Sequence, residues 1–256
     1  MEKIAGNDIY SAFTFAAQGR ENHPAIIYLG TAFSYGKVKK LADALGAAFM
    51  DMGVAPAQKI MLYIPNSIQW VISWLAIQKI GAVCVPITPI YTPHDLKYIA
   101  NDSQAETIIC ADTNFGYVTS VFSDTHFKRV IVTNAADLLP AWKRHFGSLF
   151  DVIPKGKFAL NDTSHSFRTL LSRYKNKTHD VQEGAQGGRD LAEILYTGGT
   201  TKFPTGVPFS NDLFLQSAEE QIHMSDLLFP ATDNIIMGNA PLFHILGQTC
   251  SLATIL

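Results

Sequence analysis

The sequence is short of charge, short of cysteine and free of long apolar runs. Only 16% of its 256 residues are Asp, Glu, Lys or Arg, and the formal net charge is -2, so no basic excess points to nucleic acid as a partner. The three cysteines, Cys84, Cys110 and Cys250, lie far apart with no Cys-x-x-Cys spacing. That argues against a disulfide framework and a cysteine zinc site, and it suits a reducing, cytoplasmic setting. No stretch reaches about eighteen uninterrupted apolar residues, because Gln69, Gln78, Lys79 and Pro86 break the most apolar region, 68–87. The expectation is therefore no transmembrane segment, and Met1-Glu2-Lys3-Ile4 lacks the apolar core of a signal peptide. Apart from His244, considered below, no histidine has paired metal-ligand spacing or sits in a Gly-x-Ser-x-Gly context, so no metal site is expected.

What is present is a globular composition, 47% hydrophobic, in a chain long enough for about two domains. Val38, Leu41, Leu45, Ala48 and Met52 recur at steps of three and four, with Ser34 before them and Gly53 after, which predicts a helix. A strand is expected over 60–64. A second helix follows, capped by Ser67, with Ile68, Val71, Ile72, Leu75 and Ile80 as its buried side and Gly81 at its end. A strand over 82–87 precedes a short helix opened by Thr92-Pro93-His94-Asp95. Strands at 107–111 and 129–133 complete the series. Strands alternating with helices predict an α/β fold with a doubly wound, mostly parallel sheet.

Residues 151–190 interrupt this pattern. Lys155, Lys157, Arg168, Arg173, Lys175 and Lys177 are mixed with acids and end in the loop-like Glu183-Gly184-Ala185-Gln186-Gly187-Gly188. The region reads as a solvated linker between a first α/β subdomain, 1–180, and the start of a second, 181–256. In the second part, Asn211 is placed to cap a helix running toward Phe229, and 234–238 reads as a strand.

The most telling stretch is Tyr196-Thr197-Gly198-Gly199-Thr200-Thr201-Lys202-Phe203-Pro204-Thr205-Gly206-Val207, between an apolar run at 191–195 and another at 207–210. Its glycines allow backbone N–H groups to turn outward and a ligand to approach, and its threonines add donors, so it suits phosphate oxygens. A Gly-Gly pair between two apolar runs equally suits a plain hairpin. It is not a Walker loop, since Val207 follows Gly206. The segment resembles the phosphate-binding signature of the adenylate-forming, AMP-binding acyl-CoA synthetases, Tyr-Thr-Ser/Gly-Gly-Thr-Thr-Gly-x-Pro-Lys-Gly-Val. Thr197, Gly198, Gly199, Thr200, Thr201, Pro204, Gly206 and Val207 fall in register with it. Two positions depart: Lys202 stands where the family has Gly, and Thr205 where it has Lys. Lys202, three residues earlier in the same loop, is expected to replace part of the missing charge.

Further resemblances support the same family. Pro89-Ile90-Tyr91-Thr92-Pro93-His94-Asp95-Leu96 with Asn101-Asp102-Ser103 is similar to long-chain fatty acyl-CoA synthetases, and Pro241-Leu242-Phe243-His244 to the family's Pro-Leu-Phe/Tyr-His motif, whose His lines the acyl pocket. A lone His beside apolar residues is otherwise a common structural residue. The resemblance implies an N-terminal part of a two-step ligase. It would use ATP, Mg2+ and coenzyme A to turn a fatty or other carboxylic acid into its thioester, with aromatic acid ligases and a non-catalytic nucleotide-binding module as alternatives. Its phosphate-binding residues would be Thr197, Gly198, Gly199, Thr200, Thr201, Lys202, Thr205 and Gly206, with His244 catalytic. The family's adenine-binding strand, Tyr-Gly-x-Thr-Glu motif, ribose-binding Asp and C-terminal domain with its catalytic Lys are not among these 256 residues. The chain is accordingly expected to be truncated and inactive alone.

Overall fold

The structure, a computed structural model, describes residues 4–149, 154–156, 158–177, 186–198, 203–228 and 235–256, with the side chains of 146–149 and 225–228 excepted. In chain order the elements are α1 (Ile9–Ala17), the hairpin β1 (Pro24–Tyr28) and β2 (Thr31–Ser34), α2 (Tyr35–Asp51), β3 (Lys59–Tyr63), α3 (Ile68–Lys79), β4 (Val83–Pro86), α4 (Pro93–Ser103), β5 (Thr107–Ala111) and α5 (Phe115–Val121). They continue with β6 (Arg129–Thr133), α6 (Ala141–Leu149), β7 (Ser164–Ser166), α7 (Phe167–Tyr174), β8 (Leu191–Tyr196), β9 (Gly206–Ser210), α8 (Asn211–Leu228) and α9 (Ile245–Ser251).

Seven strands form one sheet in the order β7-β6-β5-β3-β4-β8-β9. All neighbours are parallel except β8 and β9, which pair antiparallel. Successive side chains of a strand point to opposite faces, and the two apolar clusters follow that rule. Ile60, Leu62, Cys84, Ile109 and Ile131 enter the core that includes residues of α1, α2, α3, α7 and α8. Met61, Tyr63, Val85, Ile108, Cys110, Val130 and Val132 enter the other, with residues of α4 and α5. The sheet is therefore covered on both sides, as the strand–helix alternation predicts, and β8 and β9 extend the sheet begun by the first 180 residues.

Local chemistry fixes the helix ends. Ser34 Oγ accepts from Lys37 N–H at the start of α2, and Gly53 leaves that helix at φ +75. Ser67 Oγ accepts from Trp70 N–H at the start of α3, and Gly81 follows that helix at φ +70. Thr92 and Asp95 form a reciprocal capping box with Pro93 in the first turn of α4.

Helix α3 is buried along its length: every residue from Ile68 to Gln78 is buried, because sheet, α1 and α2 surround it. Three sequence expectations need correction. The stretch expected to be a solvated linker contains β7, which adds a parallel strand beside β6, and α7, whose Phe167, Leu170, Leu171 and Tyr174 form a buried face against α2. Asn211 does not cap α8. Ser210 Oγ accepts from Leu213 N–H instead, and buried Asn211 reaches across the fold, accepting from Ile9 N–H at 3.1 Å. Residues 235–238 form no strand, since no neighbouring strand pairs with them among the described residues; Asn234 and Phe229 lie outside those residues.

Candidate functional site

The signature segment connects β8 to β9 at the carboxyl end of β8. Ligands of open α/β sheets collect at that end of the strands. The hairpin register pairs Tyr196 with Gly206, and the mouth is closed by Thr197 N–H donating to Thr205 O at 3.0 Å and Thr205 N–H donating to Thr197 Oγ1 at 3.3 Å. The structure thus brings Thr197, Thr205 and Gly206 together at the neck. Thr197, Gly198 and Thr205 are exposed, and accepting one hydrogen bond leaves the Thr197 hydroxyl proton available to a ligand oxygen. Gly199, Thr200, Thr201 and Lys202 lie outside the described residues.

The two described glycines do different work. A Cβ on Gly206 would sit 2.9 Å from Ile194 Cγ2 and 3.1 Å from Tyr196 Cζ, so the neck admits no side chain there. A Cβ on Gly198 would meet no atom of the described residues within 4 Å, and Gly198 is exposed.

Helix α4 supports the hairpin from outside. Tyr196 Oη donates to Asp102 Oδ2 at 2.5 Å, and burial together with that carboxylate pushes the Tyr196 phenol well above its ordinary range. Phe203 stacks on Tyr98, with centroids 4.6 Å apart and planes inclined by 20°, and His94 lies 6.2 Å from the same ring. The stretch 93–103 therefore contributes by holding both flanks of the loop.

His244 is exposed and stands at the N-cap of α9, its N–H donating to Pro241 O at 3.1 Å. The elements that place it include residues with no motif to announce them. Gln248, one turn along α9 and fully buried, donates through Nε2 to Glu193 Oε2 and to Leu242 O, both at 2.9 Å. Glu193, fully buried on β8, also accepts from Trp74 Nε1 at 2.5 Å. Burial raises the Glu193 carboxyl to about 7 against the pull of these two donors. Its neighbour across the sheet, Cys84, is pushed well above the usual thiol range by burial and by the Glu193 charge. The sequence signal that could have found Glu193 is an acid inside the apolar run Leu191-Ala192-Glu193-Ile194-Leu195; Gln248 gave none.

A cavity of about 480 Å3 opens at the other end of β8, lined by Gln186, Arg189, Asp212, Leu215 and Glu219 among others. Among its described lining residues the one cation, Arg189, is outnumbered by the acids Asp212 and Glu219, which does not favour an anion. Among the described residues no group of three His, Cys, Asp or Glu could hold a metal ion. Magnesium coordination therefore does not follow from these side chains. Among the same residues no helix is long and apolar enough to cross a membrane.

A family model described as AMP-binding enzyme matches residues 13–256. The chain belongs to that family. Relatives include long-chain-fatty-acid–CoA ligases of Salmonella typhimurium, 28% identical over 93% of this chain, and of Bacillus subtilis, 27% identical over 96%. The chain spans 42% and 44% of those two proteins. Solved structures with the same fold include a long-chain-fatty-acid-CoA ligase from Archaeoglobus fulgidus, with TM-score 0.70 at 21% identity over 99% of this chain and 46% of that one. An anthranilate CoA ligase in complex with anthranoyl-AMP has TM-score 0.73 at 17% identity, over 98% of this chain and 44% of that one. In this AMP-binding chain the signature segment is a closed-neck hairpin, and the histidine motif is anchored to the same strand β8.

Proposed function

We propose that the protein carrying this chain is an ATP-dependent acid–CoA ligase, and that residues 197–206 hold the nucleotide's phosphates while His244 borders the acid. The observation that carries this reading is the hairpin itself: the family signature lies at the carboxyl end of β8, with its neck closed by Thr197 and Thr205 and with Gly198 exposed. In the first step a carboxylate oxygen attacks the α-phosphorus of ATP, forming the acyl-adenylate and expelling pyrophosphate. In the second, the coenzyme A sulfur attacks the acyl carbon, AMP departs, and the thiol proton is released. Thr197, Gly198, Gly199, Thr200 and Thr201 contribute hydroxyl and backbone N–H donors that orient the phosphates and offset developing charge. Lys202 supplies the cation that Thr205 does not, through a charge-assisted contact.

A long-chain fatty acid is the favoured substrate, supported by the names of the relatives at 27–28% identity and by the wording of 89–96. The test is formation of acyl-CoA by the protein carrying this chain, offered long-chain, short-chain and aromatic acids with ATP and coenzyme A, and read by mass spectrometry. Long-chain thioesters are expected. Benzoyl or anthranoyl thioesters alone would replace fatty acids by aromatic acids. No thioester, together with measurable ATP binding, would favour the non-catalytic nucleotide-binding module that Thr205 in place of Lys suggests.

A further inference from the structure

The segment 240–244 has few means of holding itself. Pro241 has no N–H to donate, and His244 N–H to Pro241 O is the only backbone bond within the segment among the described residues. Side chains from distant elements do the holding. Asn66, in the turn between β3 and α3, accepts from Leu242 N–H at 2.8 Å and donates to Ala240 O at 2.7 Å and Gly238 O at 3.3 Å. From the other side, Gln248 Nε2 donates to Leu242 O at 2.9 Å. The N–H and the C=O of Leu242 are thus both satisfied by side chains, and its own side chain is buried in the core. Helix α9 comes so close that a Cβ on Gly247 would lie 2.0 Å from Pro241 O.

Gln248 is itself oriented by Glu193, four residues before Thr197 on the same strand. A buried carboxylate is costly, and an apolar side chain of similar volume would serve stability as well or better. Leu242 O can only accept, so the Nε2 side of the Gln248 amide faces it, and Glu193 Oε2 accepts from that same nitrogen, so the two partners agree on which way the amide faces.

We infer that Asn66, Gln248 and Glu193 are positioning residues that clamp 240–244 from two sides and so tie His244 to the strand that carries the phosphate loop. This role in catalysis rests on the reading of the protein as an acid–CoA ligase; the clamp itself does not.

Two measurements keep them apart. The first is amide hydrogen exchange in this chain, which needs no activity. In Asn66→Ala, exchange at Leu242 and His244 is expected to speed up by about tenfold or more, with β5 within about twofold. Asn66→Asp keeps an acceptor for Leu242 N–H and is expected to protect Leu242 better than Asn66→Ala. It decides the case should the alanine variant exchange everywhere. In the double variant Glu193→Gln/Gln248→Glu, the amide introduced on β8 can accept from Trp74 and donate to the carboxylate introduced on α9, but Leu242 O has no donor. Thermal stability is expected to recover relative to Gln248→Leu while protection around Leu242 does not. Unchanged exchange at Leu242 and His244 in both Asn66 variants would overturn the clamp.

The second measurement is steady-state kinetics of the protein carrying this chain. Asn66→Asp and the double variant are expected to raise the acid KM about tenfold while the ATP KM stays within about twofold. Equal changes in both would overturn the positioning role. A parent that activates no acid would overturn the ligase reading and leave hydrogen exchange to decide the clamp.

Discussion

Burial raises the Glu193 carboxyl to about 7 in the folded chain, against an unfolded value near 4.3. Between those values the folded state holds a proton that the unfolded state has lost, so stability falls as pH rises through the window. The loss is on the order of 3 kcal/mol once pH exceeds the folded value. Urea unfolding from pH 5 to 8 is expected to show this decline, and Glu193→Gln to flatten it; an unchanged slope in the variant would assign the decline to other groups. The glycines give a second contrast. Gly206→Ala forces a methyl against Ile194 and Tyr196 and is expected to cost about 1–3 kcal/mol in thermal unfolding. Gly198→Ala meets no atom of the described residues and is expected to move stability by under about 0.5 kcal/mol while weakening ATP binding. Lys202→Ala is expected to raise the ATP KM about ten- to hundredfold if its charge-assisted contact contributes about 1.5–3 kcal/mol; an unchanged KM would sink its assignment. The hairpin that brings Thr197, Thr205 and Gly206 together was legible from the two apolar runs flanking a glycine pair. The roles of Asn66, Glu193 and Gln248 were not legible, because Asn66 meets Leu242 across 176 positions and Glu193 meets Gln248 across 55.

Helix α4 is the element on which the loop leans. Phe203→Ala removes the ring stacked on Tyr98, an interaction of about 0.5–1.5 kcal/mol. It is expected to loosen the loop, raising the ATP KM by about two- to tenfold with little change in thermal stability, since Phe203 is 59% exposed. A large fall in stability with normal ATP KM would show that the stack serves the fold instead. Elements were legible where a cap and an apolar period coincide, as with Ser34, Ser67 and Thr92. They were illegible where neighbours decide. Ser164-His165-Ser166 has no apolar residue to mark a strand, yet β6 offers it an open edge to pair with. The face of α7 is spaced as a helix should be, but Arg168, Arg173 and the lysines that follow masked it as solvated chain. The apolar run at 235–238 shows the converse: among the described residues no strand pairs with it, so its backbone joins no ladder there.

At the scale of the molecule, β8 links the two halves of the candidate site. Its carboxyl end opens into the signature hairpin, and its middle, through Glu193 and Gln248, holds the segment leading to His244. The alternating pattern foretold a sheet covered on both faces. It could not show that the sheet would take in residues from both sides of position 180, because strand order depends on which edges remain open. The central claim is that this sheet presents a phosphate-binding loop used to activate a carboxylic acid. ATP–pyrophosphate exchange by the protein carrying this chain tests it most directly. The account predicts exchange that depends on an added carboxylic acid and is depressed by Lys202→Ala. Exchange absent with every acid, or present and unaltered when Thr197, Gly198 and Lys202 are replaced, would contradict it.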